Sequence, residues 1–167
     1  HSGILEDLAA FVESQNEDNQ ELLNEILTIF LCLAFTFGAE ADRELSSCWD
    51  ANVHKLASFL FGLLEKKQQQ QKQQKNTQKT INLLGLLLRN ILRQSCAWRL
   101  KAITFENVFQ LICDILIDKA LDEASTSDFC VLLNLMLCEC SLDVESFLPL
   151  RIVGKLVQII VCLQQQT

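Results

Sequence analysis

Tyrosine is absent from this chain, proline occurs once and glycine five times among 167 residues. Folds built from strands need many turn residues, and few exist here. The shortage excludes a sandwich or barrel and points to long helices. Histidine is scarce as well, with only His1 and His54. There is no Gly-rich phosphate loop, no nucleophile elbow and no paired-carboxylate motif. We therefore expect no enzyme and no cofactor, with His54 a solvated surface residue. Long apolar runs are missing too. The longest, Ile26 to Gly38, is broken by Thr28 and Thr36, and a bilayer span needs about 20 residues. With no signal peptide or lipidation motif, no membrane association is expected.

What is present suits helices. Half of the residues are apolar, and Leu, Ile, Gln, Glu, Lys and Ala dominate. The length allows one domain with a real core. Eight cysteines occur, mostly inside apolar runs, where a free thiol acts as a small hydrophobe. That favours buried free thiols in a reducing, intracellular compartment, cytoplasmic or nuclear. A secreted bundle held by disulfides is the competing reading. Cys138-x-Cys140 on a helix points its thiols nearly apart, so no metal site is expected.

The net charge of −7 is unevenly distributed. Residues 1–65 hold twelve acids and two bases, residues 66–105 nine bases and no acid, and residues 106–167 nine acids and three bases. Net acidity speaks against nucleic acid as the default partner. The basic middle segment keeps that alternative open.

Apolar spacing of three and four predicts helices at about 4–13, 20–37, 51–67, 78–94, 104–119, 125–140 and 148–164. The second is apolar nearly all round, which predicts a central position. Short turns are expected near 42–48 and from Asp143. Residues 68–77 are a Gln/Lys tract without apolar side chains, expected to be a low-complexity loop or frayed helix. Arg99 and Lys101 fall in a predicted loop. Ser125, Thr126 or Ser127 is the expected cap of the sixth helix.

The helices repeat. Leu5-Glu-Asp-Leu8-Ala-Ala-Phe11 returns as Val53-His-Lys-Leu56-Ala-Ser-Phe59, as Val108-Phe-Gln-Leu111 and as Val153-Gly-Lys-Leu156. The anchors Leu8, Leu56, Leu111 and Leu156 are 48, 55 and 45 residues apart. Removing the tract from the long interval restores the roughly 40–47-residue period of paired-helix repeats. A second helix type alternates with the first, as Leu83-Leu-Gly-Leu86 and Leu132-Leu-Asn-Leu135. With Leu88-Arg89-Asn90-Ile91-Leu92 and Leu132-Leu133-Asn134-Leu135, the chain resembles armadillo and HEAT repeats. The resemblance implies an all-α α-solenoid of stacked helix pairs, about three and a half repeats. It leaves armadillo or HEAT open, because the glycine between the first helices of armadillo repeats is irregular here. Residues 1–167 then form a single helical-repeat domain, expected to be a piece of a longer protein.

One helix pair cannot cover its own apolar face, so neighbours stack and leave an extended surface. The expected function is a non-catalytic protein–protein interaction scaffold whose partner carries an acidic segment. By the same resemblance, Asn90 and Asn134 hydrogen-bond a partner's backbone, while Arg89 and Arg93 pair with its acids. Arg99 and Lys101 extend this basic surface, and a solvated basic face is the plain alternative. Trp98 is either a packed corner or an exposed anchor at the rim. The second functional reading is a nucleic-acid-binding helical repeat acting through residues 66–101.

Overall fold

The computed structural model describes residues 20–36, 50–71, 77–117 and 121–139, with isolated positions at 7, 10, 154, 157–161 and 164. The helices expected at 4–13 and 148–164 lie largely outside these residues. So do Leu8, Trp49, Leu156 and the turns near 42–48 and Asp143. Among the described residues there are helices and turns and no strand. The chain is all-α. Its elements are α1 (Gln20–Thr36), α2 (Val53–Gln71), α3 (Gln78–Gln94), α4 (Cys96–Ala102), α5 (Val108–Ile117) and α6 (Glu123–Glu139).

Each boundary has a local cause. Ser95 is extended and separates α3 from α4, and its hydroxyl accepts the Trp98 N–H at 3.2 Å as an N-cap. The same hydroxyl donates to Asp50 Oδ1, which ties this corner to the chain just before α2. Arg99 and Lys101 thus sit in a short helix, not a loop. Asn107 precedes α5 with φ 61°, a left-handed conformation that asparagine tolerates. At α6 the cap is Asp122, whose carboxylate accepts the Ser125 N–H at 2.7 Å. That bond lowers the carboxyl's pKa. Ser125 is the donor in this cap, which corrects the expectation of a cap at 125–127.

The Gln/Lys tract, expected at 68–77 as a loop or frayed helix, is helical over its described first part. Residues 68–71 continue α2, and Thr77 is buried at the start of α3. Lysine and glutamine propagate a helix readily, so it outlasts its apolar stripe. Residues 72–76 lie outside the described residues.

The helix at the centre is α3. It packs most broadly against α1 and α6 and also touches α2 and α4. Its apolar stripe of Ile81, Leu84, Leu87, Leu88, Ile91 and Leu92 is almost wholly buried. On α1, expected to be central, Ile26, Leu27, Phe30, Leu31 and Ala34 are buried and Ile29 is 48% exposed. The anchor Leu56 is fully buried, whereas Leu111 is half-buried.

The direction of packing follows from two hydrogen bonds. Thr80, near the start of α3, donates to Asn24 Oδ1, near the start of α1 (2.6 Å). Gln94, at the end of α3, donates to the Ala34 carbonyl near the end of α1 (3.1 Å). The two helices therefore run parallel. α3 and α6 do the same. Gly85 meets Phe129 near the middle of both, and Arg99, just past α3, reaches Glu139 at the end of α6. On the other side of this layer α2 packs on α3, and α5 packs on α6 and lightly on α2.

Candidate functional site

Parallel packing decides where the basic segment goes. Arg89 points along the layer from α3 to α6, and its Nη1 donates to Asp128 Oδ1 at 2.5 Å. The side chains are 27% and 10% exposed, so the pair is partly withdrawn from water. Arg99 Nε donates to Glu139 Oε1 at 2.6 Å, and its Nη1 donates to the Leu92 carbonyl at 2.7 Å. The hydrogen bond to Glu139 raises the Arg99 pKa, holding an already permanent charge in place. Two of the expected partner-binding arginines thus staple α3 and α4 to α6.

Trp98 is wholly buried. It takes the packed-corner role, and an exposed anchor at the rim is excluded. Lys101 is half-buried, with Nζ 5.4 Å from the centroid of the Phe105 ring, a cation–π distance.

Three expected residues remain on the surface. Arg93 and Asn134 are exposed and Asn90 is half-buried. Asn90 Nδ2 donates to the Leu86 carbonyl of its own helix at 2.8 Å, and Asn134 Oδ1 accepts from Cys138 Sγ at 3.9 Å. Arg89 and Asp128 face each other across the α3–α6 seam. At 100° per residue, Asn90 and Arg93 turn from that seam to the side of α3 away from its buried stripe. Asn134 turns to the corresponding side of α6. Lys79 on α3 and Ser127 on α6 are exposed with them. On the side away from α2 and α5 these polar side chains are exposed, with half-buried Leu83 and Leu86 among them on α3.

Sequence reasoning missed a second feature. Between α2 and α5 lies a groove of about 570 Å³. Its floor is Phe61 and Phe105, with ring centroids 5.2 Å apart. Gly62 opens it, because a Cβ there meets nothing within 4 Å. Glu65, Glu106 and Asp114 supply carboxylates along it, and no basic residue is among the described residues that line it. The side-chain oxygens of Gln68 and Gln110 are buried without a hydrogen-bond donor. The usable signal was helical phase. Positions 58, 62, 65 and 69 share one side of α2, but the apolar residues of Leu56 to Leu64 run nearly all round and hide it. Phe59 and Leu63 are only half-buried.

His54 is exposed. Among the described residues, no group of three or more His, Cys, Asp or Glu stands together to hold a metal. No helix there is long and apolar enough to cross a membrane. Cys32, Cys96, Cys113, Cys130 and Cys138 are free thiols. Only Cys113 is fully buried, and burial raises the pKa of half-buried Cys130. Cys32, Cys96 and Cys138 are exposed, against the expectation of mostly buried thiols. The chain matches no family model, no curated protein and no solved structure.

Proposed function

We propose that this chain is a non-catalytic protein-interaction scaffold, built as an α-solenoid of stacked helix pairs of the armadillo/HEAT type. The observation that carries the reading is the parallel run of α1, α3 and α6, with a polar face that no described element covers. Parallel neighbours separated in sequence by a returning helix, with the short α4 also intervening between α3 and α6, are what stacked pairs produce. The partner docks on that face, through Arg93 and the side chains of Asn90 and Asn134. Its acidic residues pair with Arg93 and Lys79, and its backbone meets the asparagines. Arg89 and Arg99 hold the face together from within. Free thiols on three exposed cysteines support a reducing, intracellular setting.

Fluorescence anisotropy with a labelled pool of acidic peptides carrying one apolar anchor tests the reading. Arg93→Glu should weaken binding about tenfold, near 1.4 kcal/mol, and more salt should weaken it further. Asn134→Ala should cost less, about 1 kcal/mol. Tighter binding of short RNA, abolished by Arg93→Glu and Lys79→Glu, would instead favour the nucleic-acid reading. Indifference of every ligand to both variants would remove this face as the site.

A further inference from the structure

We infer that the last helix docks an amphipathic helix of a partner protein on an exposed apolar face, in the place that α3 takes on α2 and α6 takes on α5. The face is Val157, Ile160 and Val161, which are helical and 56%, 56% and 45% exposed. The inference rests on the stacked-pair reading proposed above. Its residues are different, and it is apolar where the face around Arg93 is charged.

Spacing makes these residues a face. Single exposed apolar side chains are ordinary on a protein surface. Among the described residues, however, three of the five large hydrophobic side chains that are exposed fall between positions 157 and 161. Offsets of three and four place them on one side of the helix, and Gly154 is exposed with them. Ile159, toward the opposite side, is buried. No charged residue is among the exposed described positions of this helix, so the face lacks the composition of a solvated one.

The repeat says what covers such a face. Aligning the anchors Leu56, Leu111 and Leu156 pairs Val157 with Ile112 and Ala57, Ile160 with Ile115 and Leu60, and Val161 with Leu116 and Phe61. All six counterparts are buried, at most 7% exposed. α5 packs mainly on α6, and α2 packs on α3 and the short α4. The side that is covered in two successive pairs is thus open in the next. α3 and α6 are already engaged with α2 and α5, and α1 packs on α3, so the occupant is none of the described helices. An inner helix presents Leu or Ile at three- and four-residue spacing, as α3 does with Ile81, Leu84, Leu88 and Ile91. The occupant carries a stripe of that kind, free of charge, and binds by burying it.

A labelled peptide with the sequence of residues 78–94, titrated with the full chain and followed by fluorescence anisotropy, tests the inference. It should bind, and Leu84→Asp/Leu88→Asp in the peptide should abolish binding. Ile160→Asp in the chain should weaken binding about tenfold or more. Ile160 is exposed, so circular dichroism of this variant should match the parent. Ile160→Ala adds no charge and should weaken binding by a smaller factor. Added salt should not weaken the complex, because no charge pair holds it. Arg93→Glu should leave it unchanged, which separates a failure here from a failure of the reading of the other face. No binding, equal binding of both peptides, or indifference to Ile160→Asp would overturn the inference. A dimer in analytical ultracentrifugation that Ile160→Asp converts to a monomer would assign the face to a second copy of the chain and overturn it. Binding to phosphatidylcholine vesicles that Ile160→Asp abolishes would assign it to a lipid surface, and that too would overturn it.

Discussion

The α3–α6 seam and the α2–α5 groove treat charge in opposite ways. At the seam, Arg89 and Arg99 find Asp128 and Glu139, 39 and 40 residues away. At the groove, three carboxylates line an aromatic floor with no base among the described lining residues. Along the chain, the basic segment looked like a surface awaiting an acidic partner. In space, the acidic segment about 40 residues later supplies part of that partner. The two charge blocks neutralise each other where α3 and α6 pack side by side, so the charge left for binding is what remains after packing.

The largest effect belongs at the seam. A Cβ on Gly85 would lie 2.6 Å from the Phe129 ring, which is itself wholly buried and has nowhere to move. Gly85→Val should therefore destabilise by about 3 kcal/mol, at the upper end of overpacking. Urea denaturation measures it. A loss below about 0.5 kcal/mol, the scale of an ordinary surface change, would mean that α3 and α6 are not in close contact there.

Next comes the ion pair across the same seam. Asp128→Ala leaves Arg89 partly buried without its carboxylate and should cost about 2 kcal/mol. Glu65→Ala, in the groove, should stay within about 0.5 kcal/mol. A double-mutant cycle with Arg89→Met separates the pair from lost packing. Equal effects at Asp128 and Glu65 would erase the distinction between a paired carboxylate at the seam and an exposed one at the groove.

These contrasts show which parts of the sequence were legible. The helix at 78–94 reproduces its expected limits because its apolar stripe is narrow and its flank at Ser95 is a strong cap. The phase of α2 was not legible, because Phe59, Leu60, Phe61, Leu63 and Leu64 leave no single polar side. Arg93 and Asn134 could be placed on the surface from spacing alone. The partners of Arg89 and Arg99 could not, since that requires knowing that α3 and α6 are parallel neighbours in register. The groove depends on two elements about fifty residues apart whose outward sides meet, which no local pattern announces.

Lys67 is a third case, a base buried with no acid. It is 1% exposed, and its Nζ donates to the neutral Gln70 Oε1 at 3.2 Å. Burial lowers its pKa below 10.5, and the neighbouring Lys66 lowers it further. The unfolded chain then binds more protons over the interval between the folded and unfolded values. Stability should rise with pH through that interval and level off above the unfolded value. Lys67→Met keeps most of the apolar stem and removes the buried charge. It should stabilise the protein by about 1 kcal/mol at neutral pH and flatten the rise. Urea midpoints for both proteins, from neutral pH upward, provide the check. A destabilised Lys67→Met with no pH dependence in the parent would mean that the ammonium reaches solvent.

The smallest effect sharpens the comparison most directly, because it uses the residue type of the largest one. Gly62 and Gly85 both sit inside helices, α2 and α3. Replacing an interior helical glycine with alanine gains about 0.5–1 kcal/mol when nothing obstructs the new methyl, largely by restricting the unfolded chain. Nothing lies within 4 Å of a Cβ at Gly62, so Gly62→Ala should stabilise by that amount. At Gly85 the same propensity gain is outweighed by the collision with Phe129. The two glycines should thus move stability in opposite directions, and thermal denaturation of each alanine variant gives the signs. If Gly62→Ala destabilises, some element covers that position. The groove would then be part of the core, and its acidic rim an ordinary solvated edge.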